Sequence, residues 1–128
     1  MKYKITIVGL GPGSEDGLTL GALKALRQAS RVVLRTEIHG VVPFLKDQGI
    51  EYTSMDDIYQ EGEDFDRIYE AMVKRVMDAA QDGHVVLGVP GHPLVGERLT
   101  FELLKRLDGE MYDIDIVPGI SNADALLA

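Results

Sequence analysis

The chain has 128 residues, 45% of them hydrophobic and 27% charged, with 14 glycines, 5 prolines and no cysteine. That is the make-up of a single folded domain rather than a disordered or disulfide-stapled chain. The missing thiols exclude a cysteine nucleophile, a CxxC redox pair and Cys-ligated metal, while 13 basic against 21 acidic residues give a net charge of −8 that repels nucleic-acid backbones and anionic membranes.

The elements read in order along the chain. Lys4–Gly9 is a short Ile/Val-rich run ended by a Gly/Pro cluster, the pattern of a strand buried on both faces. Leu18, Leu20, Leu23 and Leu26 recur at helical spacing up to Ser30, and Arg31–Leu34 is a second buried strand. Val41–Gln48 reads as a short helix closed by Gly49, and Glu51–Ser54 as a weak third strand. An acidic loop, Met55–Asp64, leads into a long helix with an apolar stripe through Phe65, Ile68, Met72, Val76 and Ala79/Ala80, stopped by Gly83. His84–Val89 is the fourth strand, Glu97–Leu107 a helix, and Tyr112–Val117 a fifth strand ending in Pro118-Gly119. Ser121 then caps a helix whose Ala123, Ala125, Leu126 and Leu127 run to the last residue, Ala128. The expectation is that residues 1–128 form the N-terminal part of a longer protein.

Alternating strands and helices build βαβ units, so the expected fold is α/β, with a five-stranded, mostly parallel sheet between two helical layers. Right-handed crossovers place every strand-to-helix turn on one edge of the sheet. Ligands of open α/β sheets bind beyond the carboxyl ends of the strands. The glycine-rich segments after strands one, four and five are therefore expected to converge on one crevice.

Each segment also has a plain structural reading. Gly9-Leu10-Gly11-Pro12-Gly13 departs from GxGxxG, and no Lys-Ser or Lys-Thr follows, so it is no nucleotide-hydrolase phosphate loop. It serves equally as a tight turn or as backbone open to a ligand. Gly88–Gly96 packs three glycines and two prolines into nine residues around His92, either a structural turn with an incidental histidine or, the favoured reading, a rigid loop of the kind that carries function. In Val117-Pro118-Gly119-Ile120-Ser121, the serine is a helix cap, and the same geometry offers N–H groups to a ligand. His39 follows the second strand and either reaches the crevice or sits solvated in a loop, the loop being the favoured reading. Asp56, Asp57, Glu61, Glu63 and Asp64 lack EF-hand order, and no HExxH or GxSxG is present, so neither a metal site nor a serine nucleophile is expected. A transmembrane span of ~20 apolar residues is absent, and the N-terminus lacks the cleavage site of a secretion signal. The reading is a cytoplasmic domain with no nucleic-acid or membrane partner.

Taken together, Ile7–Gly13, Gly91-His92-Pro93-Leu94-Val95 and Val117–Ser121 resemble the tetrapyrrole methylase family. The resemblance spans the whole chain but only the N-terminal lobe of that two-lobed fold. It is strongest to the methylase domain of bacterial proteins fused to a MazG-type pyrophosphohydrolase, through Leu34-Arg35-Thr36 with His39, Asp56-Asp57-Ile58-Tyr59 and Val89–Pro93. Most members have Gly-Asp-Pro where this chain has Gly91-His92-Pro93; the fused branch shares the histidine. The resemblance implies S-adenosylmethionine as cofactor, with Leu10 and Pro12 lining one wall of its crevice, Gly91, His92 and Val95 a second, and Gly119, Ile120 and Ser121 a third. It implies transfer of a methyl group to a small-molecule acceptor such as a tetrapyrrole, no catalytic acid, base or nucleophile from this chain, and a homodimer. The competing reading is a non-catalytic ligand-binding or scaffold domain that regulates an attached MazG-type pyrophosphohydrolase. A generic nucleotide-binding domain ranks last, for want of a phosphate-loop lysine.

Overall fold

A computed structural model describes residues 1–59 and 64–122. Five strands, β1 (Tyr3–Gly9), β2 (Arg31–Leu34), β3 (Thr53–Ser54), β4 (Val85–Val89) and β5 (Tyr112–Val117), form one sheet in the order β3-β2-β4-β1-β5. Every pairing in it is parallel. Between the strands lie α1 (Leu20–Gln28), α2 (Val42–Asp47), α3 (Phe65–Ala80) and α4 (Arg98–Arg106). Single turns of 3-10 helix occupy Glu15–Gly17 and Asp56–Ile58.

Alternation along the strands divides the core into two layers. Ile5, Ile7, Val33, Val85, Leu87 and Val89 face Ile68, Met72 and Val76 of α3 and Leu99 and Leu103 of α4. Val8, Val32, Leu34 and Val86 face Ala22 and Leu26 of α1 and Val42 and Leu45 of α2. Each fully buried Leu, Ile, Val or Met contributes about 1.5–3 kcal/mol. The three-layer α/β arrangement expected from the sequence is the one observed.

Local chemistry sets the boundaries. Thr19 caps α1, its hydroxyl accepting from Ala22 N at 3.0 Å, and the Asp64 carboxylate caps α3 through Arg67 N at 2.9 Å. Gly49, at φ 72°, closes α2 as the sequence indicates. Two expectations are corrected. The third strand is Thr53–Ser54 rather than Glu51–Ser54, because Ile50 N stays bonded to Leu45 O as the chain leaves α2 and meets the sheet edge only at Thr53. Phe65 is 67% exposed, outside the stripe that buries Ile68, Met72, Val76, Ala79 and Ala80, at the first residue of α3 next to its Asp64 cap. Glu61 and Glu63 of the acidic loop, and the helix assigned to Ala123, Ala125, Leu126 and Leu127, lie outside the described residues. No described helix is long and apolar enough to cross a membrane.

Candidate functional site

The carboxyl ends of β1, β4 and β5 meet at three glycines. Gly9 ends β1, in register with Val89 of β4. A Cβ on Gly9 would lie 2.3 Å from Gly91 O and 2.7 Å from Gly119 Cα; one on Gly119 would lie 2.3 Å from Gly91 O and 2.7 Å from Gly9 Cα. No side chain fits at either position, so the three loops touch through backbone alone. The first two are also laced together. Leu10 N donates to Val89 O at 2.8 Å, Gly91 N to Gly11 O at 2.9 Å and Gly11 N to Gly91 O at 3.3 Å. Gly11 and Gly91 hold φ of 78° and 67°, a conformation that L side chains rarely adopt. Gly88, inside β4, leaves room for Leu34 and Leu10, whose methyls would lie 2.8 and 3.0 Å from a Cβ there.

The residues singled out in the sequence fall into three groups. Gly91, Gly119 and Ser121 are at the junction; a Cβ on Gly91 would meet nothing closer than Ser121 Cα at 3.7 Å, and Ser121 itself is buried. Pro12, Val95 and Ile120 are exposed around it, the last two at 53% and 39%. Leu10 is fully buried with Val8, Leu26 and Leu34, so its side chain forms no wall and only its backbone reaches the crevice. His92 is half-buried, its Nδ1 accepting from Leu94 N at 3.0 Å. His39 is not a solvated loop residue. Its Nε2 reaches Gly11 O at 2.9 Å and its Nδ1 accepts from Val41 N at 3.0 Å.

The profile of the Tetrapyrrole (Corrin/Porphyrin) Methylases matches residues 4–128. The chain belongs to the tetrapyrrole methylase family. It is 36% identical over 125 residues to the Uncharacterized protein YabN of Bacillus subtilis (strain 168), covering 98% of this chain and 26% of that one. Against the uroporphyrinogen-III C-methyltransferase of Cyanidium caldarium it is 30% identical over 126 residues, covering 98% of this chain and 49% of that enzyme. The crystal structure of uroporphyrin-III-C-methyltransferase from Thermus thermophilus superposes with a TM-score of 0.72 at 28% identity, over 99% of this chain and 52% of that one. The chain thus spans from a quarter to a half of the relatives it matches.

Beside the glycine junction, this tetrapyrrole methylase chain carries a polar corner that sequence reasoning missed. Arg35 follows β2, with its N–H bonded to Gly88 O at 2.9 Å. Its Nε stands 2.7 Å from Glu97 Oε1 at the head of α4, an ion contact without hydrogen-bond alignment, and its Nη1 donates to Tyr59 Oη at 2.9 Å. Glu97 is only 6% exposed. Burial pushes its carboxyl above the usual range, with the Arg35 charge pulling the other way. Burial also raises the Tyr69 phenol, over which Arg98 stacks at 4.6 Å. For Asp56, burial alone would raise the carboxyl, but hydrogen bonds from Glu37 N, Thr36 and Ser54, with the Arg35 charge, hold it below its ordinary value. In the sequence the family resemblance singles out the segments of Arg35 and Tyr59, but nothing points to Glu97 beyond its place after a carboxyl-edge loop. A separate hollow of about 610 Å³ opens beside α2 and β3, lined by Glu37, Lys46, Gly49, Ile50, Glu51 and Tyr52. It contains no residue of the glycine junction, and most of its lining is exposed. Among the described residues no three His, Asp or Glu side chains group as a metal site.

Proposed function

We propose that this chain is the S-adenosylmethionine-binding lobe of a methyltransferase of the tetrapyrrole methylase type. The observation that carries the reading is the meeting of Gly9, Gly91 and Gly119, where three loops present bare backbone at the carboxyl edge of a parallel sheet. The residues around it suit a sulfonium ligand with a polar tail. Gly91 lets the second loop pass close to the third, Val95 and Ile120 offer exposed apolar surface, and half-buried His92 supplies a polar group. When bound, S-adenosylmethionine supplies an electrophilic methyl group on sulfur.

In this reading Pro12 and the Leu10 backbone form one wall, Gly91, His92 and Val95 the second, and Gly119, Ile120 and Ser121 the third. Methyl transfer is an in-line displacement, so these residues act by orienting the reactants and excluding water. None of them serves as acid, base or nucleophile. The acceptor is a small molecule; a relative named as a uroporphyrinogen-III C-methyltransferase supports a tetrapyrrole. The chain acts as the N-terminal lobe of a two-lobed domain in a cytoplasmic homodimer. Its coverage of half of two methyltransferases agrees with one lobe of two.

The test is calorimetric titration of S-adenosylmethionine and S-adenosylhomocysteine into the full-length protein and its Gly91→Ala variant. The added methyl would lie between the second and third loops, in contact with Ser121 Cα at 3.7 Å and Ile120 O at 3.9 Å, at a positive φ that costs about 1 kcal/mol. The expected result is binding to the wild type that falls about tenfold or more in a variant still folded by circular dichroism. Folded wild type that takes up neither compound would end this reading.

One observation favours a second reading. His92 stands where most of the family has aspartate, and its ring is already tied to Leu94 N. That supports a non-catalytic domain regulating an attached MazG-type pyrophosphohydrolase, for which YabN, only 26% covered, has room. Absence of methyl transfer to tetrapyrrole precursors by both wild type and His92→Asp would favour it.

A further inference from the structure

We propose that His39 is a positioning residue that sets the first glycine loop for its ligand. The proposal rests on the methyl-donor reading above and adds a residue outside the three glycine loops. The hydrogen bonds define its role. Nδ1 accepts the Val41 N–H at 3.0 Å, so that nitrogen carries a lone pair and the ring proton resides on Nε2. Nε2 therefore donates to Gly11 O, at 2.9 Å.

Gly11 O also receives Gly91 N at 2.9 Å. One carbonyl thus collects N–H groups from the loop after β2 and the loop after β4, and His39 joins the junction as a third party. Close packing reinforces the tie. A Cβ on Gly40 would lie 1.6 Å from Gly13 O, so the turn that carries His39 lies directly against the end of the same loop. A Cβ on Gly11 would likewise lie 2.3 Å from Gly17 O. Gly11–Gly13 is thus packed both on its own following turn and on the turn after β2. Of these holds, the His39 bond is the one that a side-chain substitution can remove without altering the loop itself.

Two variants separate the interloop bond from the local turn. In His39→Asn the side-chain oxygen can still accept the Val41 N–H, but nothing reaches Gly11 O. In His39→Gln the amide nitrogen reaches as far as Nε2 and can still donate to Gly11 O. S-adenosylhomocysteine is titrated into wild type and both variants of the full-length protein, with thermal unfolding of each ligand-free form alongside. The expected result is affinity about three- to tenfold weaker in His39→Asn and restored in His39→Gln, with the ligand-free Tm of His39→Asn lowered by no more than the few degrees that one hydrogen bond is worth. Wild type and His39→Asn binding alike would overturn the assignment of His39 while leaving the methyl-donor reading intact. A loss of affinity that simply tracks a loss of Tm in both variants would reduce His39 to a structural role. Wild type that fails to bind removes the reading beneath the proposal, and both fall. Independently of any ligand, two-bond ¹H–¹⁵N spectra should show neutral His39 with its proton on Nε2, and a proton on Nδ1 would refute the geometry.

Discussion

The carboxyl edge of the sheet is held together in two different ways within a few residues. At the ends of β1, β4 and β5, backbone packs on backbone, and Gly9 and Gly119 leave no space for a side chain against Gly91 O. Around the end of β2, the contacts are made by charged and phenolic groups, Arg35 with Glu97 and Tyr59. The first arrangement is set by shape and indifferent to pH; the second can be tuned by protonation and by neighbouring charge. A binding surface built on the first keeps its form under changing conditions, while its flank on the second can respond to them.

The sharpest way to break the glycine side is Gly9→Ala. Its methyl would lie 2.3 Å from Gly91 O with only backbone around it, and the expected loss is about 3 kcal/mol or an unfolded chain, read by urea denaturation. A comparable loss on the polar side requires stranding a charge. Arg35→Met leaves Glu97 buried without its cation, at an expected cost of about 3 kcal/mol near neutral pH. Here the pH dependence separates the two regions. Burial raises Glu97, so the folded chain binds that proton more tightly than the unfolded one, and the residue's contribution to stability falls as pH rises from the ordinary carboxylate range through the raised value. The Arg35→Met defect should therefore shrink on acidification as Glu97 becomes neutral, whereas the Gly9→Ala defect should not. Denaturation midpoints of both variants across pH 4–8, each compared with wild type, check this. The smallest effect is expected at a plain helix cap outside the polar corner: Thr19→Ala removes the bond to Ala22 N for about 1 kcal/mol, with no pH dependence.

What the sequence made legible is what short-range pattern determines. The runs Arg31–Leu34 and Tyr112–Val117 match the strands residue for residue, the first because a buried parallel strand carries continuous Val and Leu, the second, at the sheet edge, through its alternation of Ile and Asp. The convergence of the three glycine loops followed from topology, since right-handed crossovers leave those loops no other edge. Contacts between distant side chains were not legible. His39 lies 28 residues from Gly11, and its spacing to nearby residues says nothing of that bond. Nor did any local pattern join Arg35 to Glu97. The direction of the Leu10 side chain was not legible either: it turns from the loop into the core, where Gly88 opens the slot that it fills.

The strand order has a consequence for how the chain acquires its fold. Ile5 pairs with Val85 on one side and Ile114 on the other, so β1 is the first strand synthesised yet waits for the fourth and fifth to flank it. Such distant partners make for slow folding and a nascent chain that depends on protection while its centre is open. The glycine junction cannot exist until that closure is complete, because each of its three loops extends from one of those strands. A ligand held there would therefore grip the last step of folding, and its binding energy would be felt in the cooperative unfolding of the whole sheet.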